Sequence, residues 1–309
     1  MNSQPAGDEL HTVMPEAFGR LSGRCPPAGH VAATSPRLGP DSRWTRAPSR
    51  LAGLADLAVN LAREAGQVHS RGRERTIRVE TKSSATDLVS EVDRESERLI
   101  VERLSAIRPD DAVLAEEGTL LEGTSGVRWV IDPLDGTTNY LYGYPAFAAS
   151  IAVEIDGELQ IGAVYDSSAG RCYTAVRGFG AFCDDRPIRV REEFDIERSL
   201  VATGFSYEAE QRERQGSVVA LILGRVSDIR RGGAAALDLC HVAAGHLDAY
   251  WELDNAPWDY AAGSVIAREA GAKVLFPLAT HGRGPAVVAA SSALMPSFLS
   301  LLREAGALA

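Results

Sequence analysis

The stretch WVIDPLDGTTNY, Trp129 to Tyr140, decides how the chain is read. Trp129 to Ile131 close an apolar run of strand length, and Asp132 and Asp135 follow where the strand ends. Pro133 stiffens the link between the two carboxylates, and Gly136 permits a tight turn with close backbone approach. Two acids so placed repel each other unless a cation lies between them. A hard divalent ion such as Mg²⁺ meets that need, because it takes oxygen ligands at about 2.0 to 2.1 Å and keeps waters that a substrate can displace. A single Asp-Gly is explained by an Asx-turn at a strand exit; the whole string asks for more.

Working outward, AVLAEEG places Glu116 and Glu117 directly after a short strand, and NAPWDYAAG puts Asp259 in the first turn of a helix. DLVSEVDRE sets Asp87 and Asp93 around another helix start. Taken singly, acids at helix starts are better explained as caps or dipole partners, worth about 0.3 to 1 kcal/mol.

Around these motifs the pattern alternates helix and strand. Leu54, Leu57, Ala58, Leu61, Ala62 and Ala65 recur at helical spacing from Leu51 to between Gly66 and Arg71, and Val92, Leu99, Ile100, Leu104 and Ile107 predict a second helix over Ser90 to Ile107. DAVLAE, VRWVID, FAASIAVEI, LQIGAVYD, RCYTAVRG and GAFCD read as strands, with the DG of IDGEL marking a hairpin. SLVAT, DAYWE, AKVLF and AVVAA are later strands; helices are expected over Glu208 to Val226, Ala234 to Ala244, Trp258 to Ala270 and Ser292 to Leu302. The order makes the chain α/β or α+β, with layered sheets and helices. Residues 1–49, rich in Pro, Gly, Ser and Arg and without sustained apolar periodicity, are expected to be a disordered tail, with Met14 an alternative start, and residues 50–309 the folded domain.

Composition sets the outer limits. The 309 residues are 45% hydrophobic and 24% charged, ordinary for a globular chain, and 32 basic against 42 acidic residues give a net charge of −10. Nucleic acid and anionic lipid are therefore poor partners. No apolar run approaches the roughly 18 residues of a membrane span, and the N-terminus lacks the order of a signal peptide, so a cytoplasmic protein is expected. Cys25, Cys172, Cys183 and Cys240 form no CxxC pair and are expected to be buried or idle thiols. His241 and His246, read as sharing one helix, fall on different faces and are not expected to bind metal.

KSSATDLVSEVD, LAEEG, WVIDPLDGTTNY and WDYAAGSVIAREAGA, in this order and spacing, resemble the signature segments of the inositol monophosphatase family of Mg²⁺-dependent, Li⁺-sensitive phosphatases. The likeness runs from Leu51 almost to the C-terminus. It implies an αβαβα layered sandwich, a homodimer, and hydrolysis of small phosphomonoesters with two or three Mg²⁺ per site. Position by position, it implies Glu116, Asp132, Asp135, Asp259 and the Leu134 carbonyl as metal ligands. Glu116 and Thr137 would hold the attacking water, and Asp93 would accept the Thr137 hydroxyl hydrogen bond. The N–H groups of Gly136 and Thr137 would meet the phosphate, and Gly233, Ala235, Glu252 and Asp259 would lie at the substrate. Glu252 reads equally well as an exposed strand-end residue.

Lys82 is a further candidate, because a chain with only one other lysine, Lys273, keeps an ammonium beside the site segment. Where the family shows hydroxyl residues, RRGGAAALDLC has Gly232 and Ala234, which leaves the substrate open. Inositol 1-phosphate leads, followed by the same chemistry on histidinol phosphate, fructose 1,6-bisphosphate or a nucleotide 3′-phosphate. A bisphosphate needs a second cationic clamp, which only Arg230 or Arg231 could supply. Other phosphatase chemistries fail on spacing: the four residues between Cys172 and Arg177 are too few for a cysteine phosphatase, and Asp132 and Asp135 do not form Asp-x-Asp. A non-catalytic scaffold is the alternative of another class, opposed by the cost of keeping unpaired carboxylates without metal.

Overall fold

Periodic Leu and Ala stretches become helices laid on a sheet, and apolar runs bounded by Asp, Gly and Ser become its strands. The computed structural model describes residues 47–75, 77–82, 88–280 and 285–309. Most of the expected tail, with Met14 and Cys25, and also Asp87, lies outside the described residues.

The first half of the chain forms α1 (Ser49–Gly72), β1 (Val79–Thr81), β2 (Leu88–Ser90), α2 (Glu91–Ile107), β3 (Ala112–Ala115), β4 (Leu120–Leu121), β5 (Val127–Asp135), α3 (Thr137–Tyr142), β6 (Ala148–Ile155), β7 (Glu158–Asp166), β8 (Arg171–Val176), β9 (Ala181–Cys183) and β10 (Arg186–Pro187). The second half forms β11 (Leu200–Thr203), α4 (Ala209–Leu223), β12 (Asp228–Arg230), α5 (Ala235–Ala243), β13 (Ala249–Glu252), α6 (Pro257–Glu269), β14 (Ala272–Leu275), β15 (Val287–Ser291) and α7 (Met295–Glu304). Helix α1 starts just ahead of Leu51, so the expected tail gives way to helix at its last residue.

The larger sheet has the order β10-β9-β8-β7-β6-β5-β3-β4 and is antiparallel except for the β3–β5 pair. The smaller has the order β12-β11-β13-β15-β14, with β11 parallel to both its neighbours. Helices α1 and α2 cover one face of the large sheet through Leu61, Ile100, Trp129 and Ile151. Helices α5 and α6 fill the space between the sheets, packing Leu239, Ile266 and Ala262 against Val164, Tyr173 and Tyr250. Helices α4 and α7 close the far side through Ile222, Phe298 and Leu302. The result is an αβαβα sandwich, as the family resemblance implies.

Strand β7 meets α6 at Gly162, where a Cβ would fall 2.3 Å from the Ala262 carbonyl, so only glycine lets this helix reach the sheet. The Asp156-Gly157 turn joining β6 to β7 has φ of +52° and +81°, as the DG signal predicts. Cys172, Cys183 and Cys240 are buried thiols, as expected, the first two in cores on opposite sides of the sheet. One expectation needs correction. Helix α5 ends at Ala243 and the chain turns at Gly245, so His246 folds back and its ring lies 5.7 Å from that of His241. Burial lowers both pKa values, that of His241 to about 4, so the pair is neutral. Among the described residues no helix is long and apolar enough to cross a membrane.

Gly162→Ala is expected to force α6 off β7 and lower stability by about 1 to 3 kcal/mol, the usual cost of overpacking. Urea unfolding of the variant and the native protein measures it; an unchanged midpoint would mean that the layers adjust freely.

Candidate active site

Strands β3 and β5 run parallel, with Ala115 beside Ile131, so the residues that follow them emerge at the same sheet edge. The Glu116 N–H donates to the Ile131 carbonyl at 3.1 Å, which sets Glu116 next to Asp132. Pro133 has no N–H for the ladder, and the pairing of β5 with β6 slips between Asp132 and Asp135. Inside this bulge the Leu134 N–H donates to Asp132 Oδ1 at 3.0 Å. Gly136 follows with φ +86°, a conformation costly for any residue bearing a Cβ, and opens α3 at Thr137.

Three carboxylates of this region each cap a helix. Asp93 completes a capping box at the start of α2, accepting from the Ser90 N–H and hydroxyl through Oδ2. Its Oδ1 accepts the Thr137 hydroxyl at 2.7 Å, closer than the Leu134 carbonyl that competes at 3.1 Å. Asp259 accepts the Ala256 N–H at 2.7 Å at the start of α6. Asp135 reaches across to α5, accepting the Ala236 N–H at 2.8 Å; the residue at the cap position itself is Ala234, which has no side chain to offer.

Glu116, Asp132, Leu134, Asp135, Gly136, Thr137, Gly233, Ala235, Glu252 and Asp259 all line one cleft of about 310 Å³, and Lys82 stands at its rim. Asp93 lies behind it, in contact through Thr137. Burial pushes the carboxyls of Asp132 and Asp259 well above the usual range, and Glu116 and Asp135 add repulsion. Asp135 is pushed up to about 7, by burial first and then by Glu252 and Glu116. Lys82 Nζ sits 2.8 Å from Glu116 Oε1 and 2.6 Å from Glu117 Oε1. Burial works against its charge, but these partners raise its pKa.

The donor set suits Mg²⁺: the atoms lining the cleft are hard carboxylate and carbonyl oxygens, buried or half-buried and mutually repelling, and a divalent cation would offset that repulsion. Among the described residues the acids line the cleft without closing into a tight chelating group, and Glu116 is turned to Lys82.

The same cleft is also lined by Glu252, Asp254, Phe205, Tyr207, Trp258 and Arg231. Glu252 is not an exposed strand-end residue: Tyr250 donates its hydroxyl to Oε2 at 2.8 Å, and burial raises the carboxyl's pKa. Arg230 turns away to Asp228, whereas Arg231 lies with its guanidinium carbon 6.0 Å from the Phe205 ring centre. Sequence reasoning passed over Phe205, Tyr207 and Trp258, although position gives a signal for Phe205, just past β11, and for Trp258, in the first turn of α6 beside Asp259. It also passed over Glu97 of α2, which holds the Glu116 loop by accepting the Glu117 N–H at 2.7 Å and the Thr119 N–H at 3.1 Å.

Comparison with known proteins agrees with this geometry. The model of the inositol monophosphatase family matches residues 51–306. Inositol-1-monophosphatase SuhB of Mycobacterium tuberculosis is 40% identical over 281 residues, 84% of this chain and 97% of the relative. The Nus factor SuhB of Vibrio cholerae is 41% identical over 224 residues, 72% of this chain and 84% of the relative. The crystal structure of the extragenic suppressor protein suhB from Bartonella henselae aligns with a TM-score of 0.75 at 36% identity, covering 82% of this chain and 98% of that one. The protein is thus a hydrolase of phosphoric monoesters. The chain belongs to the inositol monophosphatase family, whose members act on small phosphorylated substrates.

Glu97→Ala is expected to lower stability by about 2 to 3 kcal/mol, since it strands the N–H groups of Glu117 and Thr119 that a charged acceptor now holds. Chemical denaturation measures the loss. A shift below about 0.5 kcal/mol would show that water replaces the carboxylate at no cost.

Proposed function

We propose that residues 50–309 are a Mg²⁺-dependent phosphatase of small polyol or amino-alcohol monophosphates, with inositol 1-phosphate first and histidinol phosphate second. The observation that carries this reading is the lining of one cleft, in which Asp132, Asp135, Asp259 and Thr137 share a space with Glu252, whose carboxylate Tyr250 orients. Glu116, Asp132, Asp135, Asp259 and the Leu134 carbonyl would hold two or three Mg²⁺. Bound there, the ions supply neutralisation of phosphoryl charge and acidification of water.

The chain's own residues supply the rest. Thr137 donates its single hydroxyl proton to Asp93, which leaves lone pairs on Oγ1 facing the cleft to accept from the attacking water. Glu116, once released from Lys82, orients the same water as a second acceptor. The N–H groups of Gly136 and Thr137 meet the phosphate, and Asp135 fixes α5 so that the bare backbone of Gly233 to Ala235 walls the alcohol side. A carboxylate at Glu252 suits hydroxyls or a protonated amine and repels a second phosphate. Arg231 is the observation that favours a second reading, a doubly anionic substrate such as fructose 1,6-bisphosphate, because it lines the same cleft.

Phosphate release from inositol 1-phosphate, histidinol phosphate, fructose 1,6-bisphosphate, a nucleoside 3′-phosphate and an aryl phosphate, with and without Mg²⁺, separates these readings. Turnover is expected to require Mg²⁺ and to fall with millimolar Li⁺, and Glu252→Gln is expected to cost about 1 to 3 kcal/mol on the preferred substrate while sparing the aryl ester. Equal losses on both, or a bisphosphate far ahead in kcat/KM, would overturn the assignment.

Thr137→Ala and Asp93→Asn should each lower kcat strongly with little change in KM, because both act on the water and not on bound substrate. As one relay, the double variant should lose far less than the product of the single losses. Fully multiplicative losses would mean separate roles.

A further inference from the structure

His69, in the last turn of α1, is fully buried beneath the Asp132 to Asp135 bulge. Its Nε2 lies 2.8 Å from the Pro133 carbonyl, and its Nδ1 lies 2.8 Å from the Ser167 hydroxyl. A carbonyl only accepts, so the imidazole proton sits on Nε2 and Nδ1 accepts from Ser167. The His69 main-chain carbonyl in turn accepts the Tyr140 hydroxyl at 2.8 Å. One residue thus grips the site segment on both flanks, at Pro133 before the bend and at Tyr140 after it.

The grip has a direction. All described peptide bonds are trans, so the carbonyl of Pro133 and the N–H of Leu134 point to opposite sides of one rigid plane. His69 holds the carbonyl side, and the N–H side donates to Asp132 Oδ1 at 3.0 Å. Rotation of that plane would swing the Asp132 carboxylate and, through the shared residue, the Leu134 carbonyl. We infer that His69 is a positioning residue, which aims Asp132 and Leu134 at the Mg²⁺ site through the Pro133–Leu134 peptide. This rests on the metal reading of the cleft given above.

Mg²⁺ binding to the substrate-free protein, followed by isothermal titration calorimetry, tests it with His69→Phe and His69→Gln alongside thermal unfolding. Phenylalanine fills the space without a donor, and glutamine restores one. The phenylalanine variant is expected to bind Mg²⁺ roughly tenfold or more weakly, the usual consequence of losing an outer partner of a metal ligand. Its half-saturating Mg²⁺ in turnover should rise in parallel while KM for the phosphomonoester at saturating Mg²⁺ stays near native, and glutamine should recover much of the loss. Unchanged Mg²⁺ affinity in a folded His69→Phe, even with a lowered melting temperature, would overturn the inference and leave His69 as core packing. Should that variant fail to fold, Ser167→Ala, which frees the imidazole to turn, is expected to weaken Mg²⁺ about threefold or more, and native affinity there overturns it equally. A native protein that binds no Mg²⁺ would overturn the metal reading itself and this inference with it.

Discussion

Electrostatic repulsion among buried and half-buried carboxylates is the constraint around which this molecule is arranged. Glu116, Asp132, Asp135 and Asp259 come from the ends of two strands and the start of a helix, and the fold brings them into one cleft. Nothing in a hydrophobic core rewards such a gathering. It is tolerated because each acid, while facing the others, also answers a local need. The Leu134 N–H bonds Asp132, the Ala236 N–H bonds Asp135, the Ala256 N–H bonds Asp259, and the Lys82 ammonium sits on Glu116. Each contact recovers part of the desolvation cost, and the raised pKa values of the three aspartates register the part left over.

The layered sandwich is the frame that makes this gathering repeatable. A parallel β3–β5 pair within an otherwise antiparallel sheet puts two strand exits on the same edge. Helices α5 and α6, wedged between the sheets, bring their N-terminal ends to the same cleft. The positive ends of these helix dipoles therefore point at the acids, the orientation that lowers the cost of negative charge. Gly162 sets how closely α6 approaches, so a packing detail on β7 governs where Asp259 stands.

Much of this was legible in the sequence. LAEEG, WVIDPLDGTTNY and WDYAAG fixed the position of Glu116, Asp132, Asp135 and Asp259 relative to strand ends and a helix start, because strand length, Pro and Gly chemistry and first-turn acids are local properties. The small strands β1, β2, β4, β10 and β12 escaped because two or three residues carry little period. His246 was misplaced because it was counted with a helix whose expected end, Ala244, already lay before it, and Gly245 turns the chain there. The roles of Glu97, Tyr250 and His69 escaped for another reason: each acts on residues distant in the chain, and nothing in VHSRG or SERLI distinguishes a strut from a surface residue. Arg230 and Arg231 are adjacent and chemically identical, yet one turns to Asp228 and the other borders the cleft.

The capping duty of Asp93, Asp135 and Asp259 bears on how such proteins diverge. A lineage that ceased to turn over phosphate would still need these acids to begin three helices, so selection for folding alone would hold them in place. Their retention along a family tree therefore tracks the architecture, and it says less about hydrolysis than the argument from unpaired charge assumes. Thr137 is different: its bond to Asp93 starts no helix, and the methyl-bearing side chain could be exchanged without disturbing a cap. Within descendants of this fold, the hydroxyl at that position is the residue whose loss would record a change of occupation.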